Sequence, residues 1–158
     1  MRVRSLTLAG IAALLPLALL QGAKADSRET LLKMIAGPVA ATVVRIVDGD
    51  TVVVVAQPWP DQSVHVAVRL RGIDTPELRS TCPSFKRAAK QAKLALAEAI
   101  SPGDRVELRN IAGGKFYGRV VADLSRNDEN LGDMLVDQGL AVRYDGGRRM
   151  RPPCPASS

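Results

Sequence analysis

The sequence predicts a mainly β chain with α-helices, an α+β class built on a five-stranded Greek-key barrel. Three observations predict it. Five short runs are dense in β-branched residues, two segments carry helical spacing after the third and fifth of those runs, and Gly, Pro and Asp punctuate the joins.

The elements follow in order. Residues 27–36 read as a short helix, with Leu31, Leu32 and Ile35 apolar. Val39 to Val55 holds two valine-rich strands flanking an Asp-Gly turn, which makes a hairpin. Gln57 to Gln62 reads as a loop, because Pro58 and Pro60 cannot donate to a ladder. Val64 to Ile73 alternates Val64, Val66, Val68 and Leu70 against His65, Arg69 and Arg71, and is the third strand. Cys82-Pro83-Ser84 starts a helix with proline in its first turn. Phe85, Ala88, Ala89, Ala92, Leu96 and Ile100 recur on one side of it, and Lys86, Arg87, Lys90 and Lys93 on the wetter side. Ser101 to Asp104 ends it. Arg105 to Ile111 is the fourth strand and Gly118 to Leu124 the fifth, joined by a turn at 113–116. Asn130 to Gln138 is the last helix, stopped by Gly139. Five strands, one helix between the third and fourth, and one helix at the end is the element order of an OB-fold.

The ends bound the rest. Arg2 and Arg4, the apolar stretch Leu6 to Leu20 and Ala23-Lys24-Ala25 read as a cleaved secretory signal over residues 1–25. The apolar stretch is shorter than the roughly 20 residues of a membrane span, and no later segment is apolar enough to cross. The expectation is a secreted or periplasmic monomer, free of the membrane after cleavage. Residues 26–38 are then a lead-in, 39–145 the barrel domain and 146–158 a basic, proline-rich tail. Removing 25 of 158 residues leaves 133, one domain of ordinary size. The signal takes Arg2, Arg4 and Lys24 out of 22 basic residues and none of the 16 acidic ones, so the charge drops from +6 to +3. That mild excess fits an anionic partner without requiring one. Cys82 and Cys154 are an even pair in an exported chain, which points to a disulfide between the loop after Glu77 and the tail; the alternative is two unrelated thiols.

Three places concentrate reactive side chains. Asp48-Gly49-Asp50-Thr51 is a tight turn with a surplus acid, Asp50, and lacks the later ligands of a calcium-binding helix-loop-helix. In Arg69-Leu70-Arg71-Gly72-Ile73-Asp74-Thr75-Pro76-Glu77 a strand ends in two carboxylates around a proline. Arg69 and Arg71 share a face by alternation, so spacing leaves open which of them meets an anion at the strand's end. Tyr117-Gly118-Arg119 means little alone. Together the three supply what phosphodiester hydrolysis needs: carboxylates for a hard cation, a carboxylate base for water, and arginines to offset transition-state charge. Asp50 and Asp74 suit the metal, Glu77 the base, and Arg69 and Arg119 the phosphate.

These stretches resemble the staphylococcal nuclease-like (thermonuclease) family. The matching pieces are VDGDT at 47–51, VRLRGIDTPE at 68–77, YGR at 117–119 and NLGDMLVDQGLA at 130–141. The resemblance covers about residues 40–145. It implies Asp50, Asp74 and the Thr75 backbone carbonyl as calcium ligands, with magnesium or manganese as other cations these ligands admit. It implies Glu77 as general base, and it selects Arg69 over Arg71 to join Arg119 on the phosphate. Tyr117 is implied near the bound nucleotide, and Tyr144 is a further candidate for stacking on a base. The implied substrate is DNA, RNA or both. The chain has Lys115-Phe116 where the family often has Asp-Lys, and a short loop before the helix; both departures touch substrate contacts. The ending YDGGRR followed by a cysteine is similar to exported bacterial members and supports a Cys82–Cys154 bond.

A non-catalytic OB-fold module that only binds nucleic acid is the alternative. A stacking platform uses several exposed aromatics, and the chain has only five, Trp59, Phe85, Phe116, Tyr117 and Tyr144, of which two are expected to pack in or near the core. Carboxylates repel phosphate unless a cation lies between, which favours the nuclease. His65, the single histidine, has no metal-ligand partner in its strand. Arg143, Arg148, Arg149 and Arg151 form a basic tail that reads equally as a solvated end or as phosphate-binding.

Overall fold

The computed structural model describes residues 33–147, 149, 153 and 154; the signal read at 1–25 and most of the helix read at 27–36 lie outside the described residues. The part of that helix that is described is extended instead. Met34–Ile35 forms a short strand, β1, paired with residues 111–112. Two sheet partners outweigh the weak helical spacing of so short a segment.

Five long strands make the barrel: β2 (Val39–Asp48), β3 (Thr51–Trp59), β4 (Gln62–Leu70), β6 (Arg105–Gly113) and β7 (Arg119–Arg126). β2, β3 and β4 form an antiparallel meander, β4 pairs with β7 in parallel, β7 pairs with β6, and β6 returns to β2. The ring therefore closes, as the predicted OB-type barrel requires. Alternation in β2 puts Val39, Ala41 and Val43 inside and leaves Ala40, Thr42 and Val44 outside. Thr51 to Val54 is buried on both faces, which is why that run is uniformly apolar rather than alternating. The barrel interior is filled by Val43, Val52, Val54, Val68, Leu70, Leu108 and Leu124.

Two short strands, β5 (Ile73–Asp74) and β9 (Val142–Arg143), pair outside the barrel, and β8 (Glu129–Asn130) extends β7. Helix α1 (Pro83–Ala99) buries Ala89, Ala92 and Leu96, the stripe read from its spacing. Helix α2 (Leu131–Asp137) is capped by Asn130, whose side chain accepts from the amides of Gly132 and Asp133. Neither described helix is long and apolar enough to cross a membrane.

Two local expectations are corrected. The prolines at 58 and 60 do not open a loop: β3 runs to Trp59 and β4 starts at Gln62, with a register shift between Ala56 and Trp59. The irregular register accommodates the missing proline donor. The third strand also stops early, at Leu70. A turn at Arg71-Gly72, with Gly72 at φ +72, redirects the chain before Ile73. Arg71 is therefore off the strand and does not share the face of Arg69.

Candidate active site

The strand register explains how the reactive residues meet. Thr51 lies opposite Arg69 across β3 and β4, and Ala67 lies opposite Arg119 across β4 and β7. Ala67 and Arg69 are two residues apart, so Arg69 and Arg119 emerge on one face of neighbouring strands. The β2–β3 hairpin brings Asp50 to the same place, and the turn after β4 brings Asp74. Asp50, Thr51, Arg69, Thr75, Glu77 and Arg119 all line one cleft of about 410 Å³.

Within it the charges alternate. Arg69 Nη1 donates to Asp50 Oδ2 at 2.5 Å, and Arg69 Nη2 donates to Asp74 Oδ1 at 2.7 Å. Asp50 is 3% exposed, and its other oxygen accepts from the Thr51 hydroxyl at 3.0 Å. The Thr75 amide approaches Asp50 Oδ2 at 3.5 Å. Burial works against the Arg69 charge, but Asp50 and Asp74 outweigh it, and the net pKa is raised. Asp48, also in the cleft wall, is pushed above the usual carboxylate range by burial first and by the charge of Asp50 second.

Arg119 differs from Arg69. Among the described residues it has no carboxylate partner, its buried Nε finds no hydrogen-bond acceptor, and its guanidinium lies 4.7 Å over the Phe116 ring. A buried donor left without an acceptor costs on the order of 1–3 kcal/mol, a cost Arg71 Nε shares; what sets Arg119 apart is a guanidinium that lines the cleft with no described carboxylate on it. Arg71 is committed elsewhere. Its Nη2 donates to the carbonyls of Asn110 and Val121, and its Nε faces Asp123 at 3.8 Å. The turn at Gly72 thus separates the two arginines that spacing left together: Arg69 lines the cleft and Arg71 does not.

The arrangement can hold a hard cation. Asp50 and Asp74 already converge on one positively charged group, the Arg69 guanidinium, and all their donor atoms are oxygens. Among the described residues no three His, Cys, Asp or Glu side chains form a metal cage, so a cation here would take two carboxylates, a backbone carbonyl such as that of Thr75, and water.

Gly49 fixes how closely these parts approach. Its φ is not left-handed. A Cβ there would lie 2.7 Å from Ala92 Cβ of α1 and 3.1 Å from Thr75 Oγ1. The glycine is therefore required by the meeting of the hairpin, the helix and the Asp74–Glu77 loop.

A model of the staphylococcal nuclease homologue family matches residues 67–152, more than half of the chain. The chain belongs to that family. Membership in the staphylococcal nuclease homologues implies a nuclease or nucleic-acid-binding function, and the family is generally calcium-dependent. Asp50 lies before the matched segment and reaches it only through the β2–β3 hairpin. No individually curated protein matches this member of the family.

The two tyrosines stand apart from the cleft lining. Tyr117 is fully exposed in the turn before β7. Tyr144 donates its amide to Gly72 and its hydroxyl to Gly147, each through the backbone carbonyl, at 2.9 and 2.7 Å. The disulfide joins Cys82 to Cys154, as expected. The tail also delivers a residue that sequence reasoning left undecided. Arg149 Nη1 lies 2.5 Å from Glu77 Oε1, and Arg149 Nη2 lies 3.0 Å from Asp74 Oδ1. The signals for it were a basic tail and a nearby cysteine, and neither singles out position 149. Arg143 instead pairs with Asp133 on the surface, and Arg148 and Arg151 lie outside the described residues.

Proposed function

We propose that this chain is an exported, calcium-dependent nuclease that hydrolyses phosphodiester bonds of DNA, RNA or both. The observation that carries the reading is the cleft lined by Asp50, Glu77, Arg69 and Arg119, with Asp74 joined to it through Arg69. A pure binder has no use for three carboxylates beside two arginines where a phosphate is to sit.

Calcium held by Asp50, Asp74 and the Thr75 carbonyl would polarise a phosphate oxygen, and magnesium or manganese satisfies the same oxygen donors. Glu77, at the exposed rim, takes the proton of the attacking water as the new O–P bond forms and the ester O–P bond breaks. Arg69 and Arg119, on one face of adjacent strands, donate to the phosphate as its charge grows. Tyr117, exposed two residues before Arg119, would meet a nucleotide that extends past the cleft, and Tyr144, braced by Gly72 and Gly147, would stack on a base. One chain carries the whole set, and the protein acts as a monomer beyond the cytoplasm.

The test is incubation of the mature protein with single- and double-stranded DNA and with RNA, in calcium and in chelator. Cleavage in calcium that chelator abolishes is the expected result. Binding without cleavage in any divalent cation would replace the nuclease with the non-catalytic OB-fold module.

A further inference from the structure

We propose that Arg149 is a third phosphate-binding arginine of the cleft, delivered by the C-terminal tail and held there by the Cys82–Cys154 disulfide. The inference rests on the nuclease reading and adds to it a residue outside the barrel.

Arg149 repeats the arrangement of Arg69. Arg69 spans two carboxylates, Asp50 and Asp74, and Arg149 spans Asp74 and Glu77. The result is a row of alternating charge: Asp50, Arg69, Asp74, Arg149, Glu77. In the nuclease reading the carboxylates of that row must turn to other partners. Asp50 and Asp74 take a cation, and Glu77 takes a proton from water. Both arginines then lose carboxylate acceptors together, Arg69 keeping the Ile73 carbonyl at 3.3 Å. Arg69 passes to the phosphate. Arg149 lines the same cleft and faces the same change, and its fork of donors matches a phosphate oxygen pair as well as it matches two carboxylates.

The tail is built to keep Arg149 in place. Before it, β9 pairs with β5, the strand that ends in Asp74, and the Tyr144 amide bonds to Gly72. After it, Cys154 is bonded to Cys82 at the start of α1. The Tyr144 ring lies 6.0 Å from the Arg149 guanidinium. A merely solvated end would be anchored on one side of the arginine; this one is anchored on both. Arg149 and Glu77 also border a second, more apolar cavity of about 260 Å³ walled by Phe85, Leu140 and Val142. Arg119 does not border that cavity, so the phosphate that Arg149 meets is assigned to the cavity's side of the cleft.

The experiment uses fluorescein-labelled single-stranded DNA with phosphorothioate linkages, which keep the backbone charge and resist cleavage. Its binding to the full mature protein in calcium is followed by anisotropy over a salt series. For Arg149→Gln the slope of log K against log salt should fall in magnitude by about 0.7, the share of one phosphate contact on a single strand, with affinity several-fold weaker. Arg149→Lys should keep the slope and lose part of the affinity, because a point charge replaces a fork. Replacing both cysteines by serine should weaken binding towards the Arg149→Gln level, because the tail is then anchored on one side only. An unchanged slope in Arg149→Gln, with a wild-type circular dichroism spectrum, would refute the phosphate contact and leave the nuclease reading intact. Absence of binding by wild type and variants alike would remove both.

Discussion

Arg69→Ala tests the charge balance of the cleft. Arg69 is the only described cation within reach of Asp50, at 2.5 Å, and it shares Asp74 with Arg149. The Asp50 side chain is 5% exposed and that of Arg69 14%. Removing one partner of such a pair leaves a buried charge, which costs roughly 3–5 kcal/mol. Coulomb attraction at about 4 Å with an effective dielectric of about 20 gives a similar figure, about 4 kcal/mol. Asp50 keeps the Thr51 hydroxyl and Asp74 keeps Arg149, so the lower end, about 3 kcal/mol, is expected. That is a large part of the 5–15 kcal/mol of a typical domain. Urea unfolding followed by circular dichroism in chelator measures it. Calcium should then stabilise the variant more than the wild type, because it meets carboxylates with no competing guanidinium. At about 100 times its dissociation constant it returns about 2.7 kcal/mol. A loss below about 1 kcal/mol in chelator would show that solvent already compensates Asp50. Equal stabilisation of both proteins by calcium would show that Arg69 and the cation do not compete.

Other consequences can be checked separately. Glu77→Gln removes the base and keeps the arginines, so kcat should fall about 10²–10⁴-fold with KM little changed; an unaltered kcat assigns the proton to another group. Serine at both Cys82 and Cys154 opens a link between residues 72 apart in sequence, for which chain entropy gives at most about 4.4 kcal/mol. The freed tail regains motion in the folded state, so about 2–3 kcal/mol is expected in thermal melts, and an unshifted melt would mean that the bond restrains little. Gly49→Ala places a methyl against Ala92 and Thr75 and should cost about 1–3 kcal/mol by overpacking while lowering activity through Thr75. A wild-type melt and rate would show that the helix yields at that contact.

The barrel was legible because local chemistry and final environment agree along most of the chain. Val39, Ala41 and Val43 alternate because one face is buried, and Ala89, Ala92 and Leu96 recur because one stripe of α1 is. The charged residues gathered at the cleft were legible for another reason: Asp50, Arg69, Asp74, Glu77 and Arg119 sit in short recognisable stretches at strand ends, where a barrel brings distant segments together. The segment at 33–36 was misread because so few residues carry little periodicity, and pairing with β6 decides their shape. The proline hairpin was misread because a register shift absorbs the missing donor.

Sequence by itself determined which side chains the protein owns, which strands alternate, and that two cysteines could join the tail to the helix. Tertiary structure decided how those side chains divide. Gly72 turned Arg71 away to the carbonyls of Asn110 and Val121 and left Arg69 between two carboxylates. The tail set Arg149 on Asp74 and Glu77, 72 residues from the latter. Gly49 was read as a turn residue, and its place is set by the approach of Ala92 and Thr75. Each of these depends on separations across the fold, and a charge or a close contact is felt through space rather than along the chain.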